Sequence, residues 1–379
     1  MEGHNQPTVR NNLKFQLGFT SVKTVIIALA VGYILVGLFL AALHFDFMVG
    51  DITNYWQDSF KPQSAFNPDY PPLYPLMIVI LRTITFGLLP PAGLMMSIVL
   101  AFLLLGGWFV YRIAKESGSS DGIAALGAFL YGYWPLVGLT YAAYPKFDVP
   151  SVTLFLGGLY FLQTRRLRIG AGLVGISLLS HKAMWPVGLM ALAAFVISNR
   201  KLLPRYKLVE VLIVGVLPLG LYWLIGAVIH GSLAWLLSFN IGVQVVSMSN
   251  LPVLDGALGT FLRGTPNEVL KGLIIAGFGV LAAWLCFACL RDKPSMYLVG
   301  AAICVEIIFL WLILNQGEIW VMARYSRLLV VPLIWIITGR SKHTSLSQNR
   351  QRISIAAGLS ATILSQFVYA WYMVKIFYV

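Results

Sequence analysis

One polar stretch, Gly50 to Leu76, holds an unusual share of the acidic residues in this 379-residue chain. The chain has only 14 acidic residues, and Asp51, Asp58 and Asp69 all fall within this stretch. A carboxylate placed beside a hydroxyl group can accept its proton as the oxygen attacks an electrophile. We therefore interpret the stretch as half of an active site.

Further charged residues lie between apolar segments along the rest of the chain. Arg and Lys among them could stabilise the charge that develops on a phosphate leaving group. Lys182 and Arg324 border apolar segments, where an ionised side chain is costly, so we predict that both are functional. We interpret four other charged residues as solvated loop charges, namely Asp58, Lys61, Asp255 and Glu268.

The composition indicates an integral membrane protein. Hydrophobic residues make up 59% of the chain, charged residues only 11%, and the mean hydropathy is +0.81. A soluble domain carries about a quarter charged residues. The net charge of +13 comes from Lys and Arg clustered between apolar segments, as the positive-inside rule requires, so we exclude a nucleic-acid partner. At about 20 apolar residues per crossing, the spans leave no room for a soluble domain.

The apolar segments predict an all-α bundle of about 11 transmembrane helices. The segment 72–91, bounded by prolines, is predicted to stay on the outer side as a tilted or re-entrant helix. This arrangement puts 18 of the 27 Lys and Arg residues inside and 9 outside, whereas a crossing helix would put most of them outside. The predicted spans are 24–43, 93–111, 122–142, 149–163, 169–180, 183–198, 208–229, 269–290, 295–314, 328–339 and 353–375.

Several motifs resemble those of the GT-C superfamily of integral membrane glycosyltransferases, over roughly the first 200 residues. The sequence GD followed by a Trp, and then DYPPL at the head of an apolar helix, resembles their first outer loop. The chain is most similar to the lumenal dolichyl-phosphate-glucose glucosyltransferases and the polyprenyl-phosphate-mannose mannosyltransferases. Residues 1–23 carry three basic residues and no strong periodicity, which predicts a cytoplasmic lead. The resemblance implies a catalytic transmembrane module at 24–230, with interfacial helices in its first outer loop at 44–91, and a variable transmembrane module at 231–379.

The resemblance also implies a reaction and the residues that perform it. The reaction would be the inverting transfer of a monosaccharide from undecaprenyl or dolichyl phosphate to a hydroxyl acceptor on the outer or lumenal face. The catalytic base would be Asp51, in the GD position, and a second catalytic acid would be Asp148, in PKFD. Lys182 in SHKAMWPVGL, and Arg324 or Arg327 in ARYSRLLVVP, would contact the donor phosphate.

Other residues of the outer loops are candidates for substrate binding. Asp46, at the end of the first span, is an alternative to Asp51 as the base, or an interfacial cap. Asp69 precedes two prolines, where an Asp commonly caps a helix start. Aromatic rings could stack on a sugar, although Tyr and Trp are also typical of the belt at membrane interfaces. The substrate-binding candidates are Asp46, Tyr55, Trp56, Asp69, Tyr70, Tyr74, Lys146 and His181.

The sequence predicts no metal site and no obligatory cofactor besides the lipid-linked donor. His44, His181 and His230 lie at the outer ends of predicted spans, but neither their spacing nor a shared helix face forms a metal site. A lipid-phosphate donor needs no DxD cluster for a nucleotide-bound metal, and the sequence shows none. A divalent metal remains an alternative.

Three other functions compete with the glycosyltransferase hypothesis. A polytopic transporter or a flippase of lipid-linked glycans would carry charges near the bilayer midplane and show repeat symmetry. A non-catalytic membrane subunit would not need acids and bases from four loops, and a ligase or polymerase of preassembled glycans would need more Arg and a larger outer domain.

The sequence indicates the type of membrane and the classes of substrate, but not the individual sugar or acceptor. We expect a multi-pass protein of a prokaryotic plasma membrane with its site on the outer face, the alternative being the ER membrane with a lumenal site. The expected partners are membrane lipid, the lipid-linked donor, and a glycan, lipid or protein acceptor. The HWMEIT-like extension and the His-Glu-Lys pattern of the N-glycan enzymes are absent, which leaves the sugar and the acceptor open.

Overall fold

The computed structural model describes residues 22–48, 51–60, 72–135, 138–180, 184–233, 266–291, 296–313 and 324–340, with 360, 362–364, 366 and 367. Within these ranges every regular element is a helix, and no strand occurs. The predicted all-α bundle is therefore confirmed. The described part of the first predicted outer loop, 44–91, forms two short helices, as expected. The predicted domain boundaries stay predictions.

The described helices follow the predicted apolar segments closely, with two differences explained below. The α-helices are α1 Val22–Ala42, α2 Asp51–Asp58, α3 Leu73–Ile84, α4 Pro91–Glu116, α5 Asp121–Gly132, α6 Gly138–Ala143, α7 Asp148–Gln163, α8 Leu167–Leu178, α9 Met184–Asn199, α10 Arg205–His230, α11 Pro266–Arg291, α12 Tyr297–Ile313 and α13 Val330–Arg340. A 3₁₀ turn, Arg327–Leu329, leads directly into α13.

Three helices of the described part are long and apolar enough to cross a membrane: α1, α4 and α10, with 21, 26 and 26 residues. On α10, Val209, Ile213 and Leu217 recur every four residues and are about half exposed. They form an outward apolar stripe along the helix. A continuous apolar surface of this kind suits lipid rather than water. The described helices identify a membrane protein, and the number of spans stays a prediction.

Helix α3 is shorter than the predicted segment 72–91. It ends at Ile84, and Phe86 and Gly87 follow with φ of 52° and 71°. This left-handed turn ends the helix before the prolines, because Gly adopts positive φ at no steric cost. Pro91 instead begins α4 at its first position, where a missing N–H costs nothing. A helix of 12 residues is about 18 Å long, shorter than a hydrocarbon core of about 30 Å. The position of this segment on the outer side stays a prediction.

The predicted single helix over 122–142 is wrong, because two helices occupy this range. Helix α5 ends at Gly132, and α6 begins at Gly138. Pro135 lies between them, and a proline disfavours the α conformation in the residue before it. The break lies at the same end of the bundle as the start of α7.

Helix α7 is buried on nearly all sides between α4, α8 and α9. Glycines allow α7 and α8 to pack closely as an antiparallel pair. A Cβ at Gly158 would lie 2.9 Å from the carbonyl oxygen of Gly170, and one at Gly170 would lie 2.7 Å from the Leu162 nitrogen. Both distances are too short for any larger residue without movement of the backbone. This packing fixes the position of α7, whose first residue is Asp148.

Candidate active site

Asp148 is held by two side chains from a segment 176 and 177 residues further along the chain. Arg324 Nη1 donates to Asp148 Oδ2 at 3.0 Å, and the Tyr325 hydroxyl donates to Oδ1 at 2.9 Å. The carboxylate is 1% exposed and the Arg324 side chain 9%. Asp148 also opens α7, where the partial positive charge of the helix N-terminus favours a carboxylate. The buried charge is therefore compensated from three directions.

Tyr325 acts in this cluster as a neutral donor. Burial, together with the negative charge of Asp148, raises the pKa of Tyr325 well above its usual value. The phenol therefore keeps its proton over the physiological range and continues to donate it to the carboxylate. Next to it, the Ser326 hydroxyl accepts a hydrogen bond from Trp134 Nε1 at 2.7 Å. The segment 324–326 is thus tied both to α7 and to the break between α5 and α6.

Arg327 differs from Arg324 in its partners. Its Nε donates to the Arg324 carbonyl oxygen at 3.1 Å, and its guanidinium carbon lies 5.7 Å from the Tyr131 ring centroid. Among the described residues, neither Nη1 nor Nη2 has a hydrogen-bond partner, although the residue is 0% exposed. Buried donors without acceptors are costly. An anion would satisfy them, and it would need neighbouring side chains to move before it could reach them.

Helices α2 and α3 pack beside Asp148 through aromatic rings. The Tyr55 ring contacts those of Phe147 and Tyr74 edge-on, with centroids 5.1 and 5.4 Å apart. The Tyr74 hydroxyl donates to the Pro145 carbonyl at 2.9 Å. Both tyrosines are buried against protein. Asp51, the first residue of α2, therefore begins a helix that packs on the residue preceding Asp148, while its side chain lies outside the described part.

The remaining candidates of the described part lie around this cluster and are more exposed. The Asp46 carboxylate is exposed and accepts the Met48 backbone N–H at 2.8 Å. Lys146 Nζ lies 5.2 Å from the Tyr144 ring centroid. Trp56 is half-buried, with the Arg82 guanidinium carbon 5.9 Å from its ring centroid. Four candidates lie outside the described residues: Asp69, Tyr70, His181 and Lys182.

Sequence reasoning missed several members of the cluster. Tyr325 stands between the two selected arginines in ARYSR, so its position was a signal for the site. Trp134 gave no comparable signal, because an apolar segment containing Trp is typical of any membrane helix. Within the described residues, no group of three or more His, Cys, Asp or Glu is arranged to hold a metal.

Comparison with known proteins shows the fold. No protein-family model matches this sequence, and no curated protein matches it. Among solved structures, the chain is similar to the apo form of the Archaeoglobus fulgidus oligosaccharyltransferase, with a TM-score of 0.55 and 13% identity over 92% of this chain. The same enzyme, tethered by a disulfide to an acceptor peptide with the NVT sequon, gives a TM-score of 0.49, 13% identity and 92% coverage.

The match extends over about half of the solved protein. This chain covers 56% of the apo oligosaccharyltransferase and 55% of the peptide-tethered one. At 13% identity, the likeness to the apo form is one of fold alone. It agrees with the all-α helix bundle predicted from the sequence.

Proposed function

We propose that the protein is a membrane glycosyltransferase that moves a monosaccharide from a polyprenyl-phosphate donor to a hydroxyl acceptor with inversion. The fold shared with an oligosaccharyltransferase, an enzyme named for the transfer of sugars, supports a glycosyltransferase. The active site would face the outer or lumenal side of the membrane. The donor would be undecaprenyl or dolichyl phosphate carrying a hexose such as glucose or mannose.

The observation that carries the proposal is the convergence of four elements at one end of the bundle. Helix α2, which begins at Asp51, packs through Tyr55 on Phe147, next to Asp148. Asp148 binds Arg324 from the segment before α13. The backbone N–H of Leu73, at the start of α3, donates to the carbonyl of Leu179 at 3.2 Å, which brings α3 to the end of α8. Lys182 follows Leu179 by three residues in the sequence. One acid and one base 176 residues apart, Asp148 and Arg324, thus meet beside α2 and α3, and the proposal adds Asp51 and Lys182 to them.

In the proposed reaction, the acceptor oxygen attacks the anomeric carbon while Asp51 accepts the proton of the hydroxyl. The new C–O bond forms as the bond between the anomeric carbon and the phosphate oxygen breaks. Polyprenyl phosphate leaves with that electron pair, and the proton stays on the Asp51 carboxyl. A general base of this kind contributes roughly 10²–10⁴-fold to the rate.

The cationic residues would have different roles in the proposed reaction. Asp148 neutralises Arg324, so Arg324 has less charge to offer a phosphate. Arg327, with two amino groups free of hydrogen bonds among the described residues, suits the leaving phosphate better, together with Lys182. We assign Asp148 to positioning: it holds the segment with Arg324 and Tyr325 against α7, and Arg327 follows in the same turn.

The test is transfer from radiolabelled polyprenyl-phosphate glucose, mannose, galactose and arabinose in membranes that contain the full chain. We expect the wild type to transfer one of these sugars and Asp51→Asn to lose at least about 100-fold of the rate. Asp58→Asn is the matched control, because Asp58 ends the helix that Asp51 begins. It should retain activity. An Asp46→Asn variant decides between the two candidate bases.

Two results would contradict the proposal. If Asp51→Asn transfers sugar at the wild-type rate, Asp51 is not the base. If the folded wild type transfers none of the labelled sugars, a transporter or flippase of lipid-linked glycans becomes the better hypothesis, and vesicle uptake of labelled lipid-linked glycan would test it.

A second candidate is transfer of a whole oligosaccharide. It is favoured by the identity of the solved structure with the same fold, which is an oligosaccharyltransferase. The same membranes, supplied with a labelled lipid-linked oligosaccharide and an acceptor peptide, distinguish the two. Label on the peptide with no transfer of single sugars would support the oligosaccharide and exclude the monosaccharide reaction.

A further inference from the structure

A second polar feature lies at the opposite end of the bundle from the candidate active site. A cavity of about 940 Å³ opens between the α7–α8 turn and the start of α10. We propose that this basic cavity binds the headgroup of an anionic phospholipid. Its lining includes four cationic side chains and one carboxylate, namely Arg165, Arg166, Arg168, Lys207 and Glu210.

The positive charge of the basic cavity exceeds what its own acid can balance. Glu210 forms an ion pair with Arg168, and its other oxygen lies 3.7 Å from Lys207 Nζ. The single carboxylate is thus shared between two cations of the lining. Arg165 and Arg166 add two further charges, so the lining carries a net charge of +3 from four cations and one anion.

Arg165 and Arg166 are held in place by neutral groups. Arg165 Nη1 donates to the Asn199 side-chain oxygen at 2.9 Å, and its backbone adopts φ of 64° in the turn. The Arg166 guanidinium carbon lies 5.9 Å from the Phe161 ring centroid. Neither contact neutralises the charge. Both side chains are therefore positioned, which reduces the entropy lost when they bind an anion.

The rim of the basic cavity suits a lipid better than a free phosphate ion. Ile169, Leu202 and Tyr206 also line it, and they are 51%, 62% and 68% exposed. Acyl chains would cover such side chains, whereas inorganic phosphate would leave them exposed. The volume holds a phosphodiester with its glycerol, far more than one phosphate ion needs. Basic pockets between membrane helices are known to bind anionic headgroups, and a Tyr commonly lies at headgroup level.

The experiment is native mass spectrometry of the full chain, purified in detergent with either phosphatidylglycerol or phosphatidylcholine. We expect the wild type to retain one phosphatidylglycerol molecule in preference to phosphatidylcholine. The double variant Arg166→Gln with Arg168→Gln should bind phosphatidylglycerol at least about tenfold more weakly, because each basic residue near an anionic lipid adds to its affinity. If that variant does not fold, Arg166→Gln alone serves, with a smaller loss of a few-fold.

Arg291→Gln is the matched control, since Arg291 is an exposed arginine that ends α11 and does not line the basic cavity. It should bind phosphatidylglycerol as the wild type does. Equal retention of the two lipids by the wild type would overturn the proposal, as would undiminished binding by the double variant. Thermal stabilisation by inorganic phosphate as strong as that by phosphatidylglycerol would instead indicate a site for a soluble anion. Each readout is independent of sugar transfer.

Discussion

Each end of the bundle carries an ion pair between an arginine and a carboxylate, but one pair is buried and the other is exposed. At the candidate active site, Arg324 lies 3.0 Å from Asp148, and the two side chains are 9% and 1% exposed. At the other end, Arg112 lies 3.1 Å from Glu116, and the two side chains are 40% and 38% exposed. The distances are nearly equal. The energetic difference between the pairs therefore lies in their solvation.

Tyrosine–aspartate hydrogen bonds repeat the comparison. The Tyr325 hydroxyl donates to Asp148 at 2.9 Å in a buried cluster, and the Tyr111 hydroxyl donates to Asp121 at 2.9 Å in an exposed one. The exposed contacts join residues four and ten positions apart, whereas the buried ones join segments 176 and 177 positions apart. Burying charge is costly, and in this cluster the buried contacts hold together two distant parts of the chain. This contrast is why we place the chemistry at the buried end.

The largest expected effect is that of Asp148→Ala. Without the carboxylate, the Arg324 guanidinium remains buried and unbalanced, and the free energy of unfolding should fall by about 3–5 kcal/mol. Glu116→Ala at the exposed end should change it by under about 1 kcal/mol, as is usual for exposed pairs. Denaturant unfolding of each variant and of the wild type in detergent micelles measures both changes.

A further variant separates two causes of the lost stability: the loss of the ion pair itself, and the cost of a buried Arg324 that has no counter-charge. Replacing Asp148 and Arg324 together with apolar residues of similar volume should recover much of the stability that Asp148→Ala loses, because no charge is then left unpaired. Equal losses from Asp148→Ala and Glu116→Ala would show that burial does not distinguish the two ends. The apolar double variant should still be inactive in sugar transfer under the proposed function.

Tyr325→Phe should have the next largest effect. It removes a hydrogen bond to a buried charge, and such bonds contribute about 1.5–3 kcal/mol. Tyr111→Phe is the matched substitution at the exposed end, where water replaces the lost donor, so its effect should be under about 1 kcal/mol. Both are measured in the same micelles. If Tyr111→Phe lowers the free energy of unfolding as much as Tyr325→Phe does, burial does not make the Tyr325 hydrogen bond stronger than the exposed one.

The sequence predicts most helices well but misplaces the boundaries of two of them. Hydropathy and charge locate most of the helices within a few residues, and the helical fold class is confirmed. They fail at 122–142, because hydropathy does not register that Pro135 separates α5 from α6. They also overextend α3 to the prolines, whereas a left-handed turn at Phe86 and Gly87 ends it earlier.

The site is predictable in its charged members and less so in its partners. Arg324 could be selected because a charge beside an apolar segment is costly, and Asp148 because PKFD resembles the second acidic loop of a known superfamily. Their pairing could not, since 176 residues separate them and only the packing of α7 brings them together. Tyr325 could have been selected from its place between the two arginines, but only the structure shows its hydroxyl on a buried carboxylate.

The smallest effect concerns acid stability at the exposed end. Hydrogen bonds from the Lys115 ammonium and then from the Tyr111 hydroxyl lower the pKa of Asp121 below its usual value near 4. A lowered folded-state pKa contributes stability above the unfolded pKa, and that contribution is lost as the pH falls through the folded one. The Asp121 side chain is 59% exposed, so water screens the pair and the contribution should stay under about 1 kcal/mol.

Melting temperatures of the wild type and Asp121→Asn between about pH 6 and pH 3 measure this contribution. The wild type should be slightly more stable at pH 6, and the difference should shrink as the pH falls below the usual pKa of Asp and the carboxylate takes up its proton. A difference that stays constant with pH would mean that the carboxylate acts through packing.

High salt should also remove the difference at pH 6, since exposed pairs are screened within about 3 Å at 1 M. The buried pair of Asp148 and Arg324 should keep its contribution at the same salt concentration, because ions do not enter between the two side chains.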